Sequence, residues 1–201
     1  LRRIGAGWRW SLATIVVVAL WMTMYFASRM LEYEAFASLW FPPAAVSFAA
    51  FMVFRSRAWP ALVLANVLGA LATFHREGVT VAGSMLFDGL LFALAHCIAY
   101  WLAAEAVLQS IPRNSAPSMA RTVGAFLFAG MISALIASVA GAWVTLSVEL
   151  VSAGDMWPLV LPWLIGDYAG LIATGPLLVL VLRRFALYAG LRIPHRLYAF
   201  D

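Results

Sequence analysis

Six apolar runs separated by short polar segments dominate the chain. They cover residues 11–27, 39–54, 58–73, 82–108, 122–147 and 157–182. Four of these runs have the roughly 17 or more residues that a helix needs to cross the hydrocarbon core of a bilayer. The second and third runs reach that length only with their flanking tryptophans and prolines, so they form either a tilted pair of spans or a re-entrant hairpin. The pattern predicts an all-α, polytopic transmembrane helical bundle of about six spans.

The composition agrees with a membrane protein. Of the 201 residues, 65% are hydrophobic and 11% are charged, and the mean hydropathy is +0.93. A soluble domain is about half apolar and about a quarter charged, so this chain has too few polar residues to cover a core in water. The lipid bilayer is therefore its predicted surrounding.

The arginines predict the orientation of the bundle. All 13 basic residues are arginine, and they are scattered between apolar runs rather than gathered in a stripe, so nucleic-acid binding is not indicated. Positive charge is retained in cytoplasmic loops. If the N-terminus is inside, only Arg29 and Arg76 fall outside, which predicts an N-in, C-in topology. Residues 1–184 then form the transmembrane domain, and the basic amphipathic segment 185–201 is a cytoplasmic linker.

No catalytic, cofactor or metal-binding motif is recognisable. The chain has no lysine, which excludes a retinal Schiff base and a P-loop. Cys97 has no second cysteine for a disulfide or a thiolate metal site. A b-type haem would need two histidines at membrane depth, whereas His96 alone lies in an apolar run. We therefore expect neither an enzyme nor a cofactor in these residues.

Small residues recur at four-residue spacing in two of the runs. The third run has Ala61, Ala65 and Gly69, and the fifth has a longer stripe that includes Gly130 and Ala134. Such stripes let helices approach closely in lipid. Packing within the chain is the preferred interpretation, with a dimer interface as the alternative. We further expect the second and third runs to pack as a close hairpin.

Four polar residues inside the runs are candidates for function, because ionisable groups in a membrane are costly and normally face protein or water. They are Asp167, His96, Asn66 and Asp88. Asp167 lies between Pro162 and Pro176, which predicts a discontinuous helix carrying a carboxylate near the midplane, a common way to hold a cation, an amine or a proton. The alternative is that Asp167 satisfies the opened backbone or a neighbouring helix.

His96 has two interpretations. It pairs with Asp167 or Asp88, or it is a neutral histidine bonded to a carbonyl group. We expect Asp167 to face a polar cavity to which His96 or Asn66 contributes, and this cavity is the predicted sensory or binding site.

Two stretches resemble the first-described class of MASE-type membrane-associated sensor domains. Residues 41–45 (FPPAA), followed by a basic turn and a Trp-Pro pair, are similar to that family's paired prolines and turn. Residues 163–170 (WLIGDYAG), with a later proline, resemble its W-x-x-G-D-x-x-G motif. The chain departs from the family at Ala44 and Ala45, where a hydroxyl residue and glycine are usual, and in having about six spans rather than eight.

The resemblance implies a sensory input domain in the bacterial inner membrane. Such domains precede histidine kinases or diguanylate cyclases, so it implies a cytoplasmic output domain in cis, two-component or cyclic-di-GMP signalling, and a homodimer or membrane partner. It adds Trp163 and Gly166 to the candidate site. The alternative from another class is the small substrate-binding membrane component of a transporter, which also has about six spans in a chain of this size.

Overall fold

A computed structural model describes residues 4–34, 37–76, 83–112, 118–147, 154 and 156–200. Six α-helices account for most of them: α1 Ile4–Ser28, α2 Pro43–Phe54, α3 Trp59–Arg76, α4 Gly83–Ser110, α5 Met119–Ser147 and α6 Met156–Tyr188. A short antiparallel pairing of β1 (Glu32–Glu34) with β2 (Ala37–Ser38) lies between α1 and α2. The predicted helical bundle is confirmed. Several charged residues that lie before or between the predicted spans fall outside the described part: Arg2, Arg3, Glu77, Arg113, Glu149 and Asp155.

Five helical stretches among the described residues are long and apolar enough to cross a membrane. They are Gly7–Leu31, Pro43–Arg76, Leu86–Ser110, Met119–Leu146 and Met156–Tyr188. The second stretch, of 34 residues, contains both α2 and α3, joined by the 3₁₀ helix Arg55–Ala58. The chain is thus built as a multi-pass membrane protein.

Helix α2 forms the centre of the bundle. All 12 of its residues are buried, and it packs against α6, α4 and α1. A helix that is apolar on every side is stable only when enclosed by other helices. At about 1.5 Å per residue α2 is roughly 18 Å long, well short of the ~30 Å hydrocarbon core.

The chain reverses direction between α2 and α3. Two contacts between α1 and α2 show their relative direction. The Trp21 indole N–H of α1 donates to the Ser47 hydroxyl of α2 at 3.1 Å, and the ring centroids of Trp10 and Phe54 are 6.0 Å apart. Helix α2 therefore runs antiparallel to α1. Helix α3 then returns along α1, since Gly69 packs against the ring of Trp21. At the reversal Arg55 has a φ of 58°, which is uncommon for any residue other than glycine.

The predicted close hairpin of these two helices is wrong. Helix α3 packs against α4 and α1 rather than along α2, and α2 and α3 meet near the turn, where the rings of Phe51 and Trp59 are 5.5 Å apart. The face of α3 that carries Ala61, Ala65 and Gly69 packs against α1 instead. Trp21 of α1 lies so close to Gly69 that a side chain at Gly69 would overlap its ring. Helices α2 and α3 follow each other in the sequence but do not pack side by side, because α1, α4 and α6 already surround α2.

The small-residue stripe of α5 packs within the chain. A side chain at Gly130 would overlap Leu171, and one at Gly141 would overlap Trp163. Ala134 and Ala137 on the same face are fully buried. Close approach to α6 and α4 thus explains the stripe, and the preferred interpretation is confirmed.

Both described ends of the chain lie at one end of the bundle. The Arg9 guanidinium donates to the Gly190 carbonyl at 3.2 Å, and Arg196 donates to the Leu108 carbonyl. Helix α6 continues past residue 184 to Tyr188, and Leu197 is buried against the core. The segment assigned to a linker thus packs partly on the bundle. A connection to an output domain stays a prediction.

Candidate functional site

Helix α6 carries Asp167 without interruption. It remains α-helical through Pro162 and Pro176, so the predicted discontinuous helix is wrong. A proline inside a helix removes one backbone hydrogen bond, and in a membrane bundle neighbouring helices and side chains can satisfy the freed carbonyl. The two prolines therefore do not break α6.

The irregular backbone lies instead in residues 38–42, immediately before α2. The Phe41 amide donates to the Gly166 carbonyl at 2.9 Å. A side chain at Gly166 would overlap the Ser38 carbonyl, and one at Gly170 would overlap the Phe41 carbonyl. Positions four apart share one face of a helix, so the two glycines form a groove in α6 that accepts the backbone of residues 38–42.

Asp167 lies beside that groove and points into the bundle. Its residue exposure is 4%. The Tyr100 hydroxyl donates to its Oδ2 at 2.7 Å, and His96 Nε2 lies 3.6 Å from the same oxygen. His96 and Tyr100 are four residues apart on α4, so they project from one face. Together they bring a histidine, a tyrosine and a carboxyl group to one point between α4 and α6.

His96 is surrounded by aromatic rings. Its imidazole lies almost parallel to the Phe92 ring, with centroids 5.4 Å apart, and the Phe41 ring contacts it edge-on at 6.1 Å. Neither ring nitrogen makes a hydrogen bond with another described residue, since the 3.6 Å from Nε2 to Asp167 exceeds hydrogen-bond distance. Of the two interpretations of His96, the structure favours proximity to Asp167 over a bond to a carbonyl group.

Asn66 contributes a second polar group from α3. It is 1% exposed, and its Nδ2 donates to the Leu62 carbonyl at 2.8 Å, with the Cys97 sulfur at 3.9 Å. Its Oδ1 accepts no hydrogen bond from the described part of the chain. An unsatisfied buried acceptor costs about 1–3 kcal/mol, so it requires an explanation, such as a ligand that donates to it.

These residues meet around one cavity of about 130 Å³. Five of the six predicted site residues line it: Asp167, His96, Asn66, Asp88 and Trp163. The sixth, Gly166, packs against residues 38–42 instead. Aromatic side chains make up much of the remaining wall: Trp21, Tyr25, Phe41, Phe74 and Phe92.

Charged residues lie at the end of the cavity near β1. Arg29 pairs with Glu32 at 3.2 Å, and Arg76 pairs with the same carboxylate at 2.7 Å. The Tyr25 hydroxyl contacts the Thr73 hydroxyl at 2.6 Å. These bonds fasten the end of α1 to α3. The cavity thus runs from this charged end to Asp167. Its wall includes both Asp88 and His96 of α4, which are separated by about 12 Å along the helix.

Several residues of the site were missed by the sequence analysis. Tyr100 and Phe92 lie four residues on either side of His96, and this spacing places all three on one face of a helix. That signal was present in the sequence. Trp21 has no comparable signal, because its contact with α3 depends on how α1 packs.

Comparison of the chain with protein-family models, curated proteins and solved structures finds no match.

Proposed function

We propose that this chain is the membrane-embedded sensory input domain of a bacterial signalling protein. In this proposal a small ligand enters the cavity from the outer side of the inner membrane. Its binding changes the packing of α2 and α6, and a cytoplasmic histidine kinase or diguanylate cyclase in the same polypeptide reads the change. The observation that carries the proposal is that Asp167, at the buried end of the cavity, belongs to the helix that leads to the C-terminal segment.

An N-in, C-in topology with six passes fits this role. The contact of Arg9 with Gly190 brings the first and last described segments to the same end of the bundle, which is expected for an even number of passes. Residues 38–42 together with the short helix α2 would make the second pass. The arginine-rich end, with Arg55 and Arg57, would be cytoplasmic by the positive-inside rule.

Two routes connect the cavity to the cytoplasmic end. Asp167 and Arg183 are separated by 16 residues of α6, or about 24 Å. Phe41, whose ring contacts His96, lies two residues before the start of α2. Helix α2 leads to Arg55, which pairs with Glu105 at 2.6 Å. A ligand shifts the equilibrium between two packing states of the helices only if it binds them with different affinity. A ligand between Asp167 and Phe41 would contact both routes.

Filling the cavity tests this proposal. Ala70 of α3 lines the cavity, so Ala70→Phe should occupy it and fix the output of the full-length gene product at one level. The assay measures kinase or cyclic-di-GMP output across growth conditions that change the wild-type output. Leu68→Phe is the matched control, because Leu68 is exposed on the same helix, and it should respond normally. A normal response of Ala70→Phe would contradict a sensory role for the cavity.

A transport component is the second candidate. Residues 38–42 form non-helical chain next to the short helix α2 and close to Asp167. This arrangement resembles the discontinuous helices that bind substrates in transporters. The gene context separates the two functions. Sensing predicts a kinase or cyclase segment in the reading frame beyond residue 201, whereas transport predicts neighbouring genes for an ATPase and a coupling subunit.

A further inference from the structure

We infer that the cavity selects a small organic ammonium ion, held by Asp167 against an aromatic wall. The inference rests on the proposed function, in which this cavity is the ligand site, and it adds the chemical class of the ligand. Charge, aromatic content, an unsatisfied acceptor and size each support it.

The charges around the cavity favour a cation. The described wall contains three carboxyl groups, those of Glu32, Asp88 and Asp167, and one arginine, Arg29. At the charged end Arg29 and Arg76 both pair with Glu32, so these two arginines and the three carboxyl groups sum to a net charge of −1 when all are ionised. Asp88 and Asp167 lie further along the wall. A cation surrounded by apolar groups needs such a counter-ion, because an isolated charge in a low-dielectric interior is strongly penalised.

The aromatic wall favours an organic ammonium ion over a hydrated metal ion. Trp21, Phe41, Phe92 and Trp163 all line the cavity, and the Phe92 and Trp163 rings meet at 5.7 Å, nearly perpendicular. Aromatic faces attract organic cations, most strongly when water is excluded. They supply no oxygen ligands, which Mg²⁺ and Ca²⁺ require in numbers of six or so.

The unsatisfied acceptor requires a hydrogen-bond donor. Asn66 Oδ1 is buried and has no partner among the residues that the structure describes, and the Asn66 side chain lines the cavity. An ammonium group has up to three N–H donors, so it can donate to Asn66 and Asp167. A carboxylate ligand has no donor to offer and would face Asp167 as a like charge.

The volume limits the ligand to a small molecule. A dry protein cavity of ~150 Å³ holds benzene, so about 130 Å³ accommodates roughly six non-hydrogen atoms by the same standard. Cyclopentylammonium has this size. Cyclopentanol keeps the ring and removes the charge, and cyclopropanecarboxylate keeps the number of non-hydrogen atoms and reverses the charge, which makes the three compounds a series matched in size.

Binding of this series to the full chain in lipid nanodiscs tests the inference by calorimetry. Cyclopentylammonium should bind at least tenfold more tightly than either other compound. Asp167→Asn and Trp163→Leu should each weaken its binding about tenfold or more. Glu105→Gln and Trp143→Leu are matched controls, because Glu105 pairs with Arg55 away from the cavity and Trp143 is largely exposed. Both controls should bind as the wild type does.

Three results would overturn the inference. They are equal or tighter binding of the alcohol or the carboxylate, no binding of any of the three compounds to the wild-type chain, and unchanged binding to Asp167→Asn. The comparison of the three compounds on the wild-type chain decides the matter even if a variant fails to fold. The Ala70→Phe output assay remains a separate test, so a sensor of a different ligand class would pass that assay and fail this one.

Discussion

Replacing Gly170 with alanine should destabilise the bundle strongly for a change of one methyl group. The new Cβ would overlap the backbone of Phe41 and Pro42, including Phe41 C and O. Backbone cannot rotate away as a side chain can, so residues 38–42 would have to move out of the groove. Overpacking of this kind costs about 1–3 kcal/mol, and the Phe41 amide bond to Gly166, at 2.9 Å, would be lost for roughly another 1 kcal/mol.

Alanine also favours a helix over glycine by about 1 kcal/mol, which offsets part of this loss. The expected net decrease in the free energy of unfolding is therefore ~2 kcal/mol. Thermal or SDS unfolding of the purified protein measures it. Gly124→Ala on α5 is the matched control, since nothing lies within 4 Å of its added Cβ, and it should be neutral or slightly stabilising. Equal stability of the two variants would refute the packing of residues 38–42 against α6.

Three further predictions concern other parts of the bundle. Single cysteines at Met30 and Gln109, introduced into a variant that lacks the native Cys97, report the topology. The cysteine at Met30 should react with an impermeant thiol reagent in intact cells, and the one at Gln109 should not. The opposite labelling pattern would mean that the proposed topology is inverted. Ser47→Ala should lower stability by about 1–2 kcal/mol, because it leaves the buried Trp21 indole N–H without its acceptor; an unchanged unfolding midpoint would contradict this contact. Ala65→Leu should cost about 1–3 kcal/mol by overpacking, because Ala65 is fully buried; wild-type stability would indicate that this face of α3 meets lipid.

Much of the fold was readable from the sequence, because apolar runs bounded by polar segments define membrane helices directly. The run predicted at 122–147 ends where α5 ends, and that at 82–108 is within two residues of α4 at both ends. Helix α2 was predicted to begin four residues before Pro43. Hydropathy cannot locate that start, since residues 39–42 are apolar whether they are helical or extended.

Part of the site was predictable, because polar side chains are costly in lipid and therefore face the protein interior. That cost places Asp167, His96 and Asn66 in the protein interior, and the structure brings them to one cavity. Gly166 does not line that cavity and packs against residues 38–42 instead. Sequence does not tell whether the space beside a helical glycine is empty or, as here, filled by another segment of the chain.

The output of Asp167→Asn in the full-length gene product tests the central claim most directly. Asparagine keeps the shape of the side chain and an acceptor for the Tyr100 hydroxyl, so expression, membrane insertion and unfolding temperature should stay close to those of the wild type. The kinase or cyclic-di-GMP response to signal conditions should be lost. A stable Asp167→Asn protein with a normal response would contradict the proposal that the cavity at Asp167 receives the signal.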